Sequence, residues 1–325
     1  MEPEPLSFFS PEGHAVVWEV EAEPYVDPFE RRITTVVDGT RIIERRVPRA
    51  EGRDREYLYD VLENEARMGA RLLACLWRDY PVELPRLIGY SLDVEEPIVL
   101  WSDHRGEPVS RYNGSLLISE QRELQASLFG AVRIMSACGI VHRRIEPATV
   151  RWDGSAVQLT GLSHAALVGD HRIRLGEAPY ASPAQREGRG RAATADDLWS
   201  AGMVIYRTVT GREVADRPDL SLAPALQPIH DVFSADPPTA LEVLARLRAP
   251  DPLQGKPVES DLALEEGRAA FDQARKLKTA EEPMPQPQPQ TQVLPVEPAP
   301  SPWWARWLPL VVLIVALLIW VVVGR

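Results

Sequence analysis

Apolar positions change their period halfway along the chain. From 15 to 20 they alternate with polar ones, the two-residue period of a half-buried strand. Residues 33–37 and 40–47 carry the same mark and flank Asp38-Gly39, a dipeptide that tolerates left-handed backbone and predicts a tight two-residue hairpin. Over 53–73 the spacing lengthens, and Leu58, Leu62, Leu72 and Leu73 fall toward one side of a helix. Two short apolar runs, 87–91 and 97–101, predict further strands. From Ser119 onward helical spacing dominates. Ser119 is placed as an N-cap, Leu124, Leu128, Ala131 and Met135 recur at helical intervals, and Gly139 follows as a C-terminal stop. A helix over 195–210 halts at Gly211. Its Leu198, Trp199, Met203, Val204, Ile205 and Tyr206 make it apolar nearly all round, which predicts burial. Helices over 239–248 and 262–276 complete the series. A sheet-rich half followed by a helical half is an α+β pattern, and no internal repeat interrupts it.

The last forty-odd residues follow neither period. Residues 283–302 hold eight prolines among Gln, Val and Glu. Such a segment favours polyproline II, reaches roughly 60 Å at about 3.1 Å per residue, and reads as a linker. Residues 308–323 then contain no charge, and thirteen of the sixteen are Leu, Val or Ile. At roughly 0.3–0.6 kcal/mol for each, insertion into a bilayer gains on the order of 5 kcal/mol. Trp303, Trp304 and Trp307 sit at one border, and Arg306 and Arg325 bracket the run. Residues 303–325 are therefore expected to be a transmembrane helix with its flanks, preceded by a helical extension over 251–282.

Charge and cysteine usage narrow the classes further. The 325 residues carry a net charge of −11 with no basic block, which argues against nucleic acid as a partner. Residues 1–14 read as an acidic, Pro-containing tail, without the basic start and apolar run of a secretory signal. Cys75 and Cys138 lie far apart in helical patterns and read as reduced core residues. No His/Cys cluster has metal-ligand spacing, and His104, His164, His171 and His230 read as scattered loop or surface residues.

Five motifs then occur in order. Residues 139–150 read G-I-V-H-R-R-I-E-P-A-T-V, 157–163 read V-Q-L-T-G-L-S, 180–185 read Y-A-S-P-A-Q, 197–202 read D-L-W-S-A-G, and 211–213 read G-R-E. In this order they resemble motifs of eukaryotic-like Ser/Thr protein kinases: the catalytic loop G-I-V-H-R-D-L-K-P-x-N, the strand into D-F-G, the Y-x-A-P-E-Q end of the activation segment, D-x-W-S-x-G, and the T-G-R-x-P turn. The resemblance covers roughly residues 13–248. It implies a two-lobed protein-kinase-like fold, with 15–103 as the N-lobe and 104–250 as the C-lobe.

The departures from that pattern carry the functional expectation. Phosphoryl transfer needs a base, metal ligands, a lysine on the phosphates and a glycine-rich cover. The base position is Arg144, whose guanidinium stays protonated and accepts no hydroxyl proton. The lysine two positions on is Glu146, the metal-binding asparagine is Thr149, and the D-F-G aspartate is Gly161, which has no side-chain oxygen to offer. Only Gly13 precedes Gly39, so no glycine-rich loop exists. The strand lysine aligns with Arg45, with Glu44 the next candidate; Glu65, or else Glu63, is its helix partner. Ala184 and Pro237 stand where the family keeps a buried Glu–Arg pair. His142, Arg143 and Asp197 are retained and are read as architectural.

These positions imply a pseudokinase, a signalling or scaffold module that binds a protein partner. The C-terminal helix is expected to hold it on the membrane, with the N-terminal domain cytoplasmic. An active or atypical Ser/Thr kinase using Glu146 or Asp153 for metal is the alternative. ATP binding through Arg45 and Glu65 is left open, with no magnesium site evident. Ser163 and Ser182 are candidate phosphorylation sites with Arg143 as partner, and Arg186, Arg189 and Arg191 read as a solvated loop.

Overall fold

The computed structural model describes residues 3–25, 29–76, 80–213, 216–220, 223–256 and 258. The predicted helix at 262–276, the linker and the apolar run at 308–323 lie outside the described residues. Among the described residues no helix is long and apolar enough to cross a membrane.

The architecture is mixed α+β. Six strands, β1 (Glu4–Phe9), β2 (Ala15–Ala22), β3 (Glu30–Thr35), β4 (Arg41–Arg46), β5 (Leu87–Ser91) and β6 (Ile98–Ser102), close an antiparallel barrel in the order β1-β2-β3-β4-β6-β5. Alternation along the strands sends Leu6, Phe8, Val20, Ile33, Ile42 and Leu100 into its interior. The opposite face of β4, through Ile43, and Val47 just after the strand join the main core of the protein.

Two helices, α1 (Arg49–Asp54) and α2 (Tyr57–Leu76), connect β4 to β5. The sequence reads as one helix over 53–73. The break falls at Arg55, whose backbone leaves the helical region, and Gly52 lies so close to the Tyr59 ring that a Cβ would overlap it.

The barrel corrects two sequence expectations. Residues 1–14 are not a free tail: Glu4–Phe9 pairs with β2 from Glu4↔Val20 to Phe9↔Ala15, and Phe9 reaches Tyr90 of β5 to close the barrel. The β3–β4 connection is longer than two residues, because pairing ends at Thr34↔Arg41 and Val37 projects into solvent. Gly39 still supplies the left-handed residue there, at φ +69°.

The second half is helical. A short β7 (Glu107–Pro108) leads to α3 (Ile118–Ala137), β8 (Ile140–Val141), β9 (Val150–Trp152), β10 (Val157–Leu159) and β11 (Ala166–Leu167). Then come α4 (Pro183–Glu187), α5 (Thr194–Thr210) and α6 (Ala240–Leu247). Ser119 is not the cap of α3: the helix begins one residue before it, and Glu120 instead accepts the Leu117 N–H at 2.7 Å. The α5 helix is buried on nearly every side, with Gly211 in the left-handed region at its end. Thr239 caps α6 by accepting the Glu242 N–H at 3.2 Å.

The cysteines, distant in sequence, meet. Cys75 near the end of α2 and Cys138 just after α3 are both buried without a disulfide, and contact with Cys75 together with burial pushes the Cys138 thiol far up.

Candidate functional site

The loop at 142–149 runs from β8 to β9 and is pinned by the first turn of α5. Asp197 Oδ2 accepts the His142 N–H at 2.7 Å and Oδ1 accepts the Arg143 N–H at 2.8 Å. Burial pushes this carboxyl up to about 7, while the two backbone donors pull the other way. His142 is fully buried. Its Nε2–H donates to Thr160 O at 3.0 Å, and its Nδ1 accepts the Arg144 N–H at 3.2 Å, which sets the tautomer. Burial lowers the imidazole to about 4. Arg143 holds a left-handed φ of +66°, unusual outside glycine, and its carbonyl accepts from Gln185 Nε2 at 2.8 Å. His142, Arg143 and Asp197 thus form one network that shapes the loop.

The altered positions line up above it. Arg144 Nε donates to Glu146 Oε1 at 3.1 Å, so the two reversed charges satisfy each other. The Thr149 hydroxyl is held inside the loop, accepting the Glu146 N–H at 3.1 Å and donating to Arg144 O at 2.7 Å. Gly161 is left-handed at φ +82°, and a Cβ there would stand 3.2 Å from Thr149 Cγ2. The position that would need a metal-binding carboxylate is therefore shaped for glycine.

Across the cleft, α2 supplies Glu65. Arg45 Nε lies 3.7 Å from its Oε2. Burial raises the Glu65 carboxyl and Arg45 opposes that rise. Glu44, the other lysine candidate, points elsewhere: Arg31 grips it as a fork at 3.1 and 2.9 Å. Glu63 is exposed and pairs with Arg67. Arg45, Glu65, Trp101, His104, Arg144 and Glu146 are among the residues around a cleft of about 560 Å³.

His104 lies in a loop, as expected, and His164 in a short 3-10 turn, but neither is fully at the surface. Both are half-buried at this cleft, and burial first, neighbouring arginines second, lowers their imidazoles, His104 to about 3. His171 and His230 are exposed. Among the described residues no group of three or more His, Cys, Asp or Glu side chains converges to hold a metal ion.

Three features escaped the sequence reading. Tyr25 lies in the connection between β2 and β3, where a glycine-rich cover is expected. Its hydroxyl donates to Glu44 Oε1 at 2.7 Å and the Arg46 guanidinium stacks 3.8 Å from its ring, so this connection is tied to β4. The Arg31↔Glu44 register was the only signal, a cross-strand opposite-charge pair. Trp101 presses on Gly69 of α2, where a Cβ would come within 2.5 Å of its ring. Asn64 donates to Ser163 O at 3.1 Å and Ala165 O at 2.9 Å, joining α2 to the segment after Gly161.

Ser163 and Ser182 are buried. Ser182 caps α4 and donates to Asp196 Oδ1 at 2.6 Å, so neither serine presents a hydroxyl for modification. Arg186 pairs with Asp216, Arg189 with Glu187, and Arg191 donates to Gly169 O.

Comparison with known proteins agrees with this layout at the level of a kinase-like domain. Over 156 residues the chain is 31% identical to the serine/threonine-protein kinase PkaA of Streptomyces coelicolor. The match takes in 44% of this chain and 26% of that protein, so the chain spans about a quarter of the length of this curated relative. No family model matches the chain.

Proposed function

We propose that the chain is a kinase-like binding module that engages a protein partner without transferring phosphate, held at a membrane by its C-terminal segment. The observation that carries this reading is the Arg144–Glu146 pair at 3.1 Å, at the positions where the resemblance expects a base and a lysine. A guanidinium takes no proton from an acceptor hydroxyl, and a carboxylate beside the transferring phosphoryl repels it.

The residues present do not fit magnesium-bound ATP. Gly161 brings no ligand. The Thr149 hydroxyl is committed to the loop. Asp153, the other carboxylate an atypical kinase would recruit, accepts from Ser155 and Ala156 backbone at 2.9 and 2.8 Å and pairs with Arg105 at 2.7 Å. Arg45 and Glu65 keep a contact that supports the fold of α2 against β4 whether or not a nucleotide enters.

The membrane part of the reading rests on the uncharged run at 308–323 and its Trp and Arg borders. With the domain resembling a cytosolic kinase, the proposed location is the cytoplasmic face of the cell membrane.

Two assays test the proposal on the full chain in mild detergent. Radiolabelled ATP with Mg²⁺ is expected to leave no label on the chain or on a generic protein substrate. Thermal melting is expected to show no Mg²⁺-dependent shift with ATP. Transfer abolished by Glu146→Ala would replace this reading with that of an active kinase.

A further inference from the structure

The outer face of the first two strands of the barrel is apolar where it meets solvent. Alternation along β2 turns Val20 inward and leaves Ala15, Val17, Glu19 and Glu21 outward. Val17 pairs with Ser7 and Ala15 with Phe9, so Phe9, Ala15 and Val17 share one face. Glu19 O accepts the Val36 N–H at 2.9 Å, which brings the β3–β4 connection alongside. Val17 is 65% exposed and Val37 92%, and Phe9 and Val36 are each close to half exposed. None of the four belongs to a buried core. Single exposed apolar residues are ordinary on a protein surface, whereas a contiguous set on one sheet face marks a contact.

The rim of this face is acidic. Residues 1–30 contain eight carboxylates and no Lys or Arg, so no cation of the strands that build the face offsets them. Glu19 and Glu21 continue the outward row of β2 beyond Val17, and among the described residues neither forms an ion pair. The arginines of the next two strands are turned elsewhere: Arg31 to Glu4 and Glu44, and Arg32 and Arg41 to Asp103.

That rim selects the occupant. A second copy docked face to face would set Glu19 and Glu21 against like charges. An anionic bilayer would be repelled. Strand addition is disfavoured as well, because β1 closes on β5 at Phe9↔Tyr90 and the sheet is a closed barrel. What fits is an apolar surface that carries its own cations.

We propose that the face formed by Phe9, Ala15, Val17 and Val36 docks a partner protein through an apolar surface flanked by Lys and Arg, which pair with Glu19 and Glu21. The inference rests on reading the domain as a binding module and names the surface and the chemistry of its partner.

The test is fluorescence anisotropy with the full chain in mild detergent. The probes are short labelled peptides that alternate Val with Lys, Val with Glu, and Ser with Lys. The Val/Lys peptide is expected to bind at least about tenfold more tightly than either of the others, since only it supplies both apolar contact and positive charge. Val17→Ser is expected to weaken it by about tenfold. Val17 is exposed, so this variant keeps its melting temperature. Reversing the rim with Glu19→Lys and Glu21→Lys together is expected to switch the preference to the Val/Glu peptide, which a merely sticky face would not do.

Equal affinity for the Val/Lys and Val/Glu peptides overturns the proposal, as does Val/Lys binding indifferent to Val17→Ser. Equal binding of the Ser/Lys peptide reduces the contact to charge and overturns it too. A dimer of the full chain that Val17→Ser dissolves would assign the face to a second copy. An environment-sensitive dye on Val17→Cys that shifts to the blue in phosphatidylcholine nanodiscs would assign it to lipid. Either result overturns the proposal. Phosphate transfer is measured separately. Failure of this face with transfer absent leaves the non-catalytic reading standing, whereas observed transfer removes the premise.

Discussion

Arg45 and Arg144 face the same cleft and carry the same charge, yet their replacement should have unequal consequences. Arg144 and Glu146 are part-exposed, so their pair is screened and Arg144→Ala should change stability by less than about 1 kcal/mol. Arg45 opposes a carboxylate that is 2% exposed. Arg45→Ala leaves Glu65 buried without that neighbour, and a loss of about 3 kcal/mol is expected in denaturant unfolding at pH 8. Burial already raises the Glu65 pKa, and removing Arg45 raises it further. A raised folded-state pKa means stability falls as pH rises, so the defect should shrink toward pH 5.

His142 has the opposite sign. Its folded pKa of about 4 lies below the ordinary 6.5, so its contribution is present above 6.5 and lost as pH falls through 4. That loss is on the order of 3 kcal/mol. Asp197, raised from 3.8 to about 7, stabilises most below 3.8 and loses that contribution as pH rises through 7. The two overlap, so the measurement is a difference. Unfolding free energies of wild type and His142→Gln between pH 7 and pH 4 should converge as pH falls; parallel curves would remove His142 as the cause.

Among the elements, α2 decides how the barrel and the helical half meet. Asn64 holds the segment after Gly161 through two carbonyls, and Arg71 Nε donates to Cys138 O at 2.8 Å beside the end of α3. Asn64→Ala should cost about 1–3 kcal/mol by leaving those carbonyls short of a donor. Hydrogen exchange should accelerate at residues 163–166 more than in α5. Gly69→Ala should destabilise by about 1–3 kcal/mol, because its Cβ meets the Trp101 ring. Trp101→Phe should recover part of the loss in the double variant, measured by melting.

Some of these elements were plain in the sequence and others were not. The α5 helix was legible because its apolar run needs no particular neighbour to predict burial. β1 was not, because Glu4–Phe9 is short, acidic and Pro-containing, and becomes a strand only against β2 and Tyr90. The break at Arg55 was hidden as well, since it depends on the close approach of Gly52 and Tyr59.

For the whole molecule, the proposed tether makes its own prediction. Protease added to right-side-out cells should spare the N-terminal domain, and the same protease on inverted vesicles should digest it. The reverse pattern would place the domain on the other face.

What the sequence determined by itself is chemical identity at each position: the absence of a carboxylate at 161, a guanidinium at 144, and a charge-free run at 308–323. These follow from residue type and local order, which no fold can alter. Which groups satisfy one another was decided only in three dimensions. Glu44 turns to Arg31 and Tyr25 while Arg45 turns to Glu65, because adjacent strand residues face opposite sides. Cys75 and Cys138 touch because the end of α2 lies beside the residue that follows α3, where Arg71 also reaches Cys138 O. Arg143 keeps Nε and Nη2 without hydrogen-bond partners because Asp197 turns to the loop backbone and Asp196 to Arg172. Hydrogen bonds and ion pairs act over a few ångströms, and sequence separation does not specify which distant groups will stand that close.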